Sequence, residues 1–222
     1  MKITWYGHAA FRVETAGVAM ILDPYRSPDS GGYLPIEDGA DLVVVSHEND
    51  RYHSHLGQIK PPFEVVRGLE LPQPPGIRVV RGIAFQATQV YESPEKNLGD
   101  EVSVVAFASE GLKVVFLGDL GHALTPEEVE PYRGADVLLI PAGGPPTIDF
   151  PLIPALVDSI RPRLIIPMHY KTPKINLSIA PLEHFLACFP HDHMWRLGAS
   201  TFEVNHDTLP IRRTILVLDH AR

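Results

Sequence analysis

Three runs of consecutive apolar residues in this 222-residue chain each stop at a polar side chain suited to chemistry. Leu42-Val43-Val44-Val45 stops at Ser46-His47, the run ending Val114-Val115-Phe116-Leu117 stops at Gly118-Asp119, and Leu164-Ile165-Ile166 stops at Pro167-Met168-His169. Short unbroken runs rich in Val, Ile and Leu are the pattern of strands buried on both faces. Strands of that kind need a covering layer on each side, and in layered α/β folds sites form where such strands end. The coincidence of three such endings carries more weight than any one of them.

The rest of the chain fits that frame. Residues 3–6, 11–14 and 18–22 read as strands broken by Gly7 and Gly17, and a loop rich in Pro, Gly and Ser follows over 24–39. Further strands are expected at 63–66, 77–81, 83–90, 102–108, 112–117, 137–140 and 214–218. Thr125-Pro126-Glu127-Glu128 has an N-cap, a proline at the first helical position and acids in the first turn. Helices are also expected at 151–160 and 181–189. The prolines at 61–62 and 72–75 read as rigid connectors. Strands first, then strands alternating with helices, suggest two packed sheets with helices outside, in a single domain over residues 1–222.

Composition narrows the chemistry. The formal net charge is −8, which disfavours nucleic acid as a partner, since phosphate binding needs clustered Lys and Arg. No apolar run approaches the ~18 residues of a membrane-spanning helix. The start, MKITWYGHAAF, has no apolar core of a signal peptide, so a cytoplasmic protein with no membrane partner is expected. The one cysteine, Cys188, cannot form an internal disulfide or a Cys-only zinc site, whereas the chain has 11 His. Metal chemistry here would rest on imidazole and carboxylate.

Several residues are candidates on these grounds. His47 opens SHENDRYHSH, residues 46–55, where His53 and His55 also lie. Asp119, flanked by glycine, needs a compensating positive partner if buried. His169 ends a buried strand, Lys171 follows two residues later, and His122 follows Asp119 by three. His8, after Gly7, and Asp23, in ILDPY, sit where they can support metal-binding residues. Each has an ordinary alternative: a loop hydrogen bond, a turn aspartate, a structural histidine or a solvated lysine. His184, His191, His193, His206 and His220 form no pattern.

The segments MKITWYGHAAF, ILDPY, VVVSHE, FLGDLGH, VLLIPAGG and IIPMHYKTP, in this order, run through most of the chain. On them the chain resembles the metallo-β-lactamase-fold hydrolases, in the branch of zinc-dependent hydrolases that includes ascorbate-6-phosphate lactonase. The resemblance implies a four-layer αββα sandwich of two mixed sheets, a site at the sheet edges, usually two metals, and often a homo-oligomer. It also implies ligand positions. The family's H-x-H-x-D-H motif, aligned from Ser46, places His47 at the first His, Asn49 at the second, Arg51 at the Asp and Tyr52 at the last His. The next family His falls at Glu92, the bridging Asp at Asp119 and the final His at His169.

The departures limit what the site can hold. Asn is a poor zinc ligand, and a guanidinium has no lone pair to give. The resemblance therefore implies a degenerate site with one zinc or manganese ion at most, held by His47, Glu92, Asp119 and His169, or no ion. Arg51 could take the second ion's place by pairing with Asp119. His53 and His55 are substitute ligands in an alternative alignment. The leading expectation is a hydrolase acting on an ester, lactone or phosphoester of a small anionic molecule. Asp119 would orient water, Tyr52 would donate to the oxyanion, and Arg51 or Lys171 would bind the anion. The alternatives are a metal-free pseudoenzyme binding a small anionic ligand, and a metal-independent acid/base enzyme using His47, His169 and Asp119.

Overall fold

The computed structural model describes residues 1–73 and 76–222. The proline connector expected at 72–75 therefore falls outside the described residues at 74 and 75. Six strands form one sheet: β1 (Lys2–Gly7), β2 (Ala10–Thr15), β3 (Val18–Leu22), β4 (Leu42–Val45), β5 (Glu64–Arg67) and β13 (Thr201–Glu203), in the order β13-β1-β2-β3-β4-β5. Eight form the other: β6 (Arg78–Val80), β7 (Ile83–Tyr91), β8 (Glu101–Ser109), β9 (Leu112–Phe116), β10 (Val137–Pro141), β11 (Leu164–Met168), β12 (His193–Arg196) and β14 (Thr214–Val217), in the order β12-β14-β11-β10-β9-β8-β7-β6. Both sheets are mixed. β1 to β3 pair antiparallel, and β3-β4-β5 parallel. β6 to β9 pair antiparallel, and β9-β10-β11-β14-β12 parallel.

Alternation along the strands builds two apolar layers. Leu42 and Val44 join Trp5, Phe11, Met20 and Leu22 in the main core between the sheets. Val43 and Val45 point the other way, with Tyr6 and Ile21, into a second cluster that includes Tyr25, Tyr33, Ile36, Ile59 and Ile175. This is why β4 is apolar at every position. The outer layer over the six-stranded sheet is thus drawn from loops. The helices α1 (Pro126–Val129), α2 (Ile153–Ile160) and α3 (Leu182–Ala187) all connect strands of the eight-stranded sheet.

Helix starts follow local chemistry. Thr125 Oγ1 accepts from the Glu128 N–H at 3.3 Å, and the Glu128 carboxylate accepts from the Thr125 N–H at 2.8 Å, a complete capping box. That helix lasts one turn before a 3-10 turn over Glu130–Tyr132. The helix expected at 151–160 begins as a 3-10 turn, Phe150–Leu152. The helix expected at 181–189 spans only Leu182–Ala187, with Pro181 as its N-cap and Cys188 as its C-cap. Two strands escaped the sequence reading, β12 and β13. β12 is exposed at every position, so burial leaves no trace in its residues, and backbone pairing alone defines it. No described helix is long and apolar enough to cross a membrane.

Candidate metal centre

Five strand ends meet at one rim. β1 delivers His8, β3 delivers Asp23, β4 delivers Ser46 and His47, β9 delivers Asp119 through Leu117-Gly118, and β11 delivers His169. The two sheets are tied there, since Ser103 of β8 donates both its N–H and its hydroxyl to the Ser46 carbonyl, at 3.0 and 2.6 Å. Gly118 permits this closeness. Its φ is +54°, and a Cβ there would lie 2.9 Å from Ser46 Oγ.

Three non-glycine residues at this rim, His8, Asp23 and His169, have φ of 52°, 40° and 51°. The left-handed region is unfavourable for such residues and persists only where surroundings enforce it. Here the turns brace one another. The His8 carbonyl accepts from the His169 N–H and from the Trp5 indole, both at 3.0 Å. The Asp23 N–H donates to the Val44 carbonyl at 2.9 Å.

The side chains form one buried network. Asp23 accepts from the Ser46 N–H at 2.7 Å, from the Ser46 hydroxyl at 2.5 Å and lies 3.0 Å from His53 Nδ1. A carboxylate only accepts, so His53 Nδ1 carries a proton, and Ser46 spends its hydroxyl proton on Asp23. Ser46 Oγ, 3.1 Å from His47 Nδ1, then accepts from it. Asp23 thereby fixes two rings, leaving His47 Nε2 and His53 Nε2 as inward-facing nitrogens. Ser46 is fully buried with its proton committed, which removes it as a nucleophile. His53 Nε2 lies 2.8 Å from Asp119 Oδ2, and His169 Nε2 lies 3.5 Å from Asp119 Oδ1.

The charges follow from this packing. Burial alone would raise Asp119, but His53 and His169 hold its carboxyl well below the usual range. Burial opposes charge on His53, yet Asp119 and Asp23 push it up to about 10, so in the metal-free protein it is an imidazolium. Burial, with His53 nearby, lowers His47 to about 4. Burial, with His169 and His53, lowers His8 well below 6.5. Both are neutral.

Whether a metal fits is decided by the donors left over. His8 Nδ1 and Nε2, His47 Nε2, His169 Nδ1 and Asp119 Oδ1 are buried without a hydrogen-bond partner. Each such atom costs roughly 1–3 kcal/mol if nothing binds it. Two groups have ligand atoms all within 4.8 Å of one another, His8 with His53 and His169, and Asp23 with His47 and His53. Neutral imidazoles and a carboxylate suit a divalent transition metal. The residues present fit one.

Several expected residues point elsewhere. Arg51 does not pair with Asp119. It is exposed, donates from Nε to the Asp29 carbonyl at 2.8 Å and stacks over Tyr52 at 5.0 Å. His53, not Arg51, pairs with Asp119. Asn49 is a turn residue whose carbonyl accepts from the N–H groups of Tyr52, His53 and Ser54, and this turn swings His53 inward. His55 pairs with Asp50 at the surface, 2.9 Å away. Lys171 is exposed, its ammonium held by the carbonyls of Ile175 and Leu177, both at 2.9 Å. His122 supports no metal-binding residue directly. It accepts from the Tyr91 N–H at 3.2 Å through Nε2 and lies 2.8 Å from the Ala123 carbonyl through Nδ1. Glu92 belongs to neither donor group, although burial and the Asp119 charge raise its carboxyl. Tyr52 stands beside the site, its ring 5.4 Å from that of His8.

Sequence reasoning gave Ser46 no role and kept His8 and Asp23 as support. The parallel pairing of β3 with β4 sets Asp23 beside Ser46, a signal available only once that pairing is known.

Comparison with known proteins agrees with this picture. Residues 2–169 match the family model described as a beta-lactamase superfamily domain. The chain is 33% identical to a UPF0173 protein of Pyrococcus abyssi over 187 residues, covering 78% of this chain and 84% of that protein. It is 28% identical to a UPF0173 metal-dependent hydrolase of Methanopyrus kandleri over 207 residues, covering 78% and 85%. A crystal structure of a candidate Zn-dependent hydrolase of the metallo-beta-lactamase superfamily from Thermotoga maritima superimposes with a TM-score of 0.77 at 33% identity, over 98% of this chain and 97% of that one.

Proposed function

The chain belongs to the metallo-β-lactamase superfamily, and from that premise we propose that it is a metal-dependent hydrolase cleaving an ester, lactone or phosphoester through an altered, single-ion site. One observation carries the reading: unpartnered donor atoms of His8, His47, Asp119 and His169 converge, buried, at the strand ends. His53, His169 and Asp119 would hold the ion, with Asp23 fixing His53 through its other nitrogen. A divalent ion bound there supplies Lewis-acid polarisation of the scissile bond and lowers the pKa of water to about 7.

The chain's own groups do the rest. Asp119, kept ionised, accepts a hydrogen bond from the attacking water and orients it. Tyr52, half-buried against His8, donates to negative charge developing on the substrate. Burial and the nearby Asp119 charge raise the Glu92 carboxyl, which favours it as the acid toward the leaving group. A cavity of about 360 Å³ lies on the His47 side of the site, lined by Val45, Ser46, His47, Glu48, Arg67, Leu69 and Glu70 but by none of His53, Asp119 and His169. A metal-free anion-binding role has less support, because Arg51 is exposed beside Asp29 and the Lys171 ammonium is held by two backbone carbonyls.

The test is metal content and activity on one preparation. Protein stripped with chelator should be inactive on a panel of aryl esters, lactones and aryl phosphodiesters. Zinc or manganese should restore hydrolysis at one ion per chain. Hydrolysis unaffected by stripping, or no metal retained at micromolar concentration, overturns the reading.

A further inference from the structure

The family motif is broken at Asn49, Arg51 and Tyr52, and none of the three offers a donor at the site's centre. Asn49 closes a turn, Arg51 lies outside, and Tyr52 packs its ring on His8. A histidine outside that motif stands in the gap. The His8 ring is 4.2 Å from that of His169 and 4.9 Å from that of His53, centroid to centroid. Its side chain is buried, and neither ring nitrogen has a partner. A histidine serving only to pack would satisfy at least one nitrogen. His8 instead sits in a left-handed turn clamped through its carbonyl by Trp5 and His169, which aims the ring at the other two.

We infer that His8 is a metal ligand, joining His53 and His169 in a three-histidine set with Asp119 beside it, in place of the site the broken motif has lost. The ligand atoms of the three histidines already lie within 4.8 Å of one another. Donors on a tetrahedral ion at about 2.1 Å are about 3.4 Å apart, so small side-chain movements close the set. The other donor group does not compete on equal terms, because both oxygens of Asp23 are engaged by Ser46 and His53. This assignment rests on the proposed metal dependence and places the ion at the β1 and β11 ends of the rim.

The experiment uses the full chain loaded with cobalt(II), which substitutes for zinc and shifts the proton resonances of coordinated imidazoles. The wild-type protein should show three coordinated histidines, and His8→Ala should lose one and bind cobalt roughly 10- to 100-fold more weakly in chelator competition. His8→Asn is the companion variant, since asparagine tolerates the left-handed turn and keeps the fold if alanine does not. His55→Ala, at the surface, should change neither readout. Unchanged affinity and unchanged histidine count in both His8 variants, with the wild type binding cobalt, overturns the assignment alone. Failure of the wild type to bind any metal overturns the functional reading on which it rests, and the assignment with it.

Discussion

His53 Nε2 stands 2.8 Å from Asp119 Oδ2, both side chains almost wholly buried. The contact joins the two halves of the sandwich, since His53 belongs to the loop after β4 in the six-stranded sheet and Asp119 follows β9 in the other. With Asp23 on its far nitrogen, His53 is a cation between two carboxylates in the metal-free protein. Its proton is the positive charge that an ion would replace when bound.

Removing that cation should expose its structural weight. His53→Ala leaves Asp23 without its ring partner and Asp119 without its nearest positive charge. Breaking one side of a buried pair typically costs about 3–5 kcal/mol. Urea unfolding of the metal-free variant should show a loss of that order. A loss under about 1 kcal/mol would mean that the carboxylates find other partners.

The histidines also set a pH dependence in metal-free protein. His47 titrates at about 4 in the fold against 6.5 ordinarily. Between those values the unfolded chain holds more protons, so acid favours unfolding. His8 is shifted in the same direction. His53 runs the other way. At about 10 its contribution is fully present below pH 6.5 and fades as pH rises through 10. Thermal unfolding should show greatest stability near pH 6.5, with an acid limb below it and a steady decline above it toward pH 10. The His47 share of the acid limb is on the order of 3 kcal/mol, and His47→Gln should flatten it. An acid limb unchanged by His47→Gln would argue against a neutral, buried His47.

Much of this architecture is legible in the sequence because burial writes it there. Leu42 to Val45 is apolar throughout because both faces of β4 are covered, and Asp119 and His169 follow their strands as the apolar runs foretell. β12 left no such trace, because none of its side chains is buried. His53 was obscured for another reason. Aligned by motif spacing, Arg51 and Tyr52 take the inner positions, whereas the Asn49 turn rotates the loop so that a residue beyond the motif points inward. Three backbone hydrogen bonds to one carbonyl decide this, and the spacing of histidines does not encode them.

Arg51 and Lys171 should be dispensable for metal binding. Neither side chain faces the donor cluster, and each is held by backbone carbonyls. Arg51→Ala and Lys171→Ala should leave zinc affinity, read by chelator competition, within about twofold of wild type, since both changes lie at the exposed surface. A tighter zinc affinity in Arg51→Ala, strongly dependent on salt, would show that the guanidinium repels the ion after all.

Asp23 should matter to metal binding without touching the metal. It fixes His53 directly and His47 through Ser46, so its loss frees two rings to rotate or change tautomer. Asp23→Asn keeps an acceptor for the Ser46 N–H but replaces the charged oxygen facing His53. Outer partners of ligating histidines are typically worth 10- to 100-fold in metal affinity, and Asp23→Asn should fall in that range. Ser46→Ala, which releases His47 alone, should cost less. Chelator competition on the two variants, beside their metal-free unfolding curves, separates orientation from folding. Equal affinities in Asp23→Asn and wild type would show that packing, and not this carboxylate, holds the rings in place.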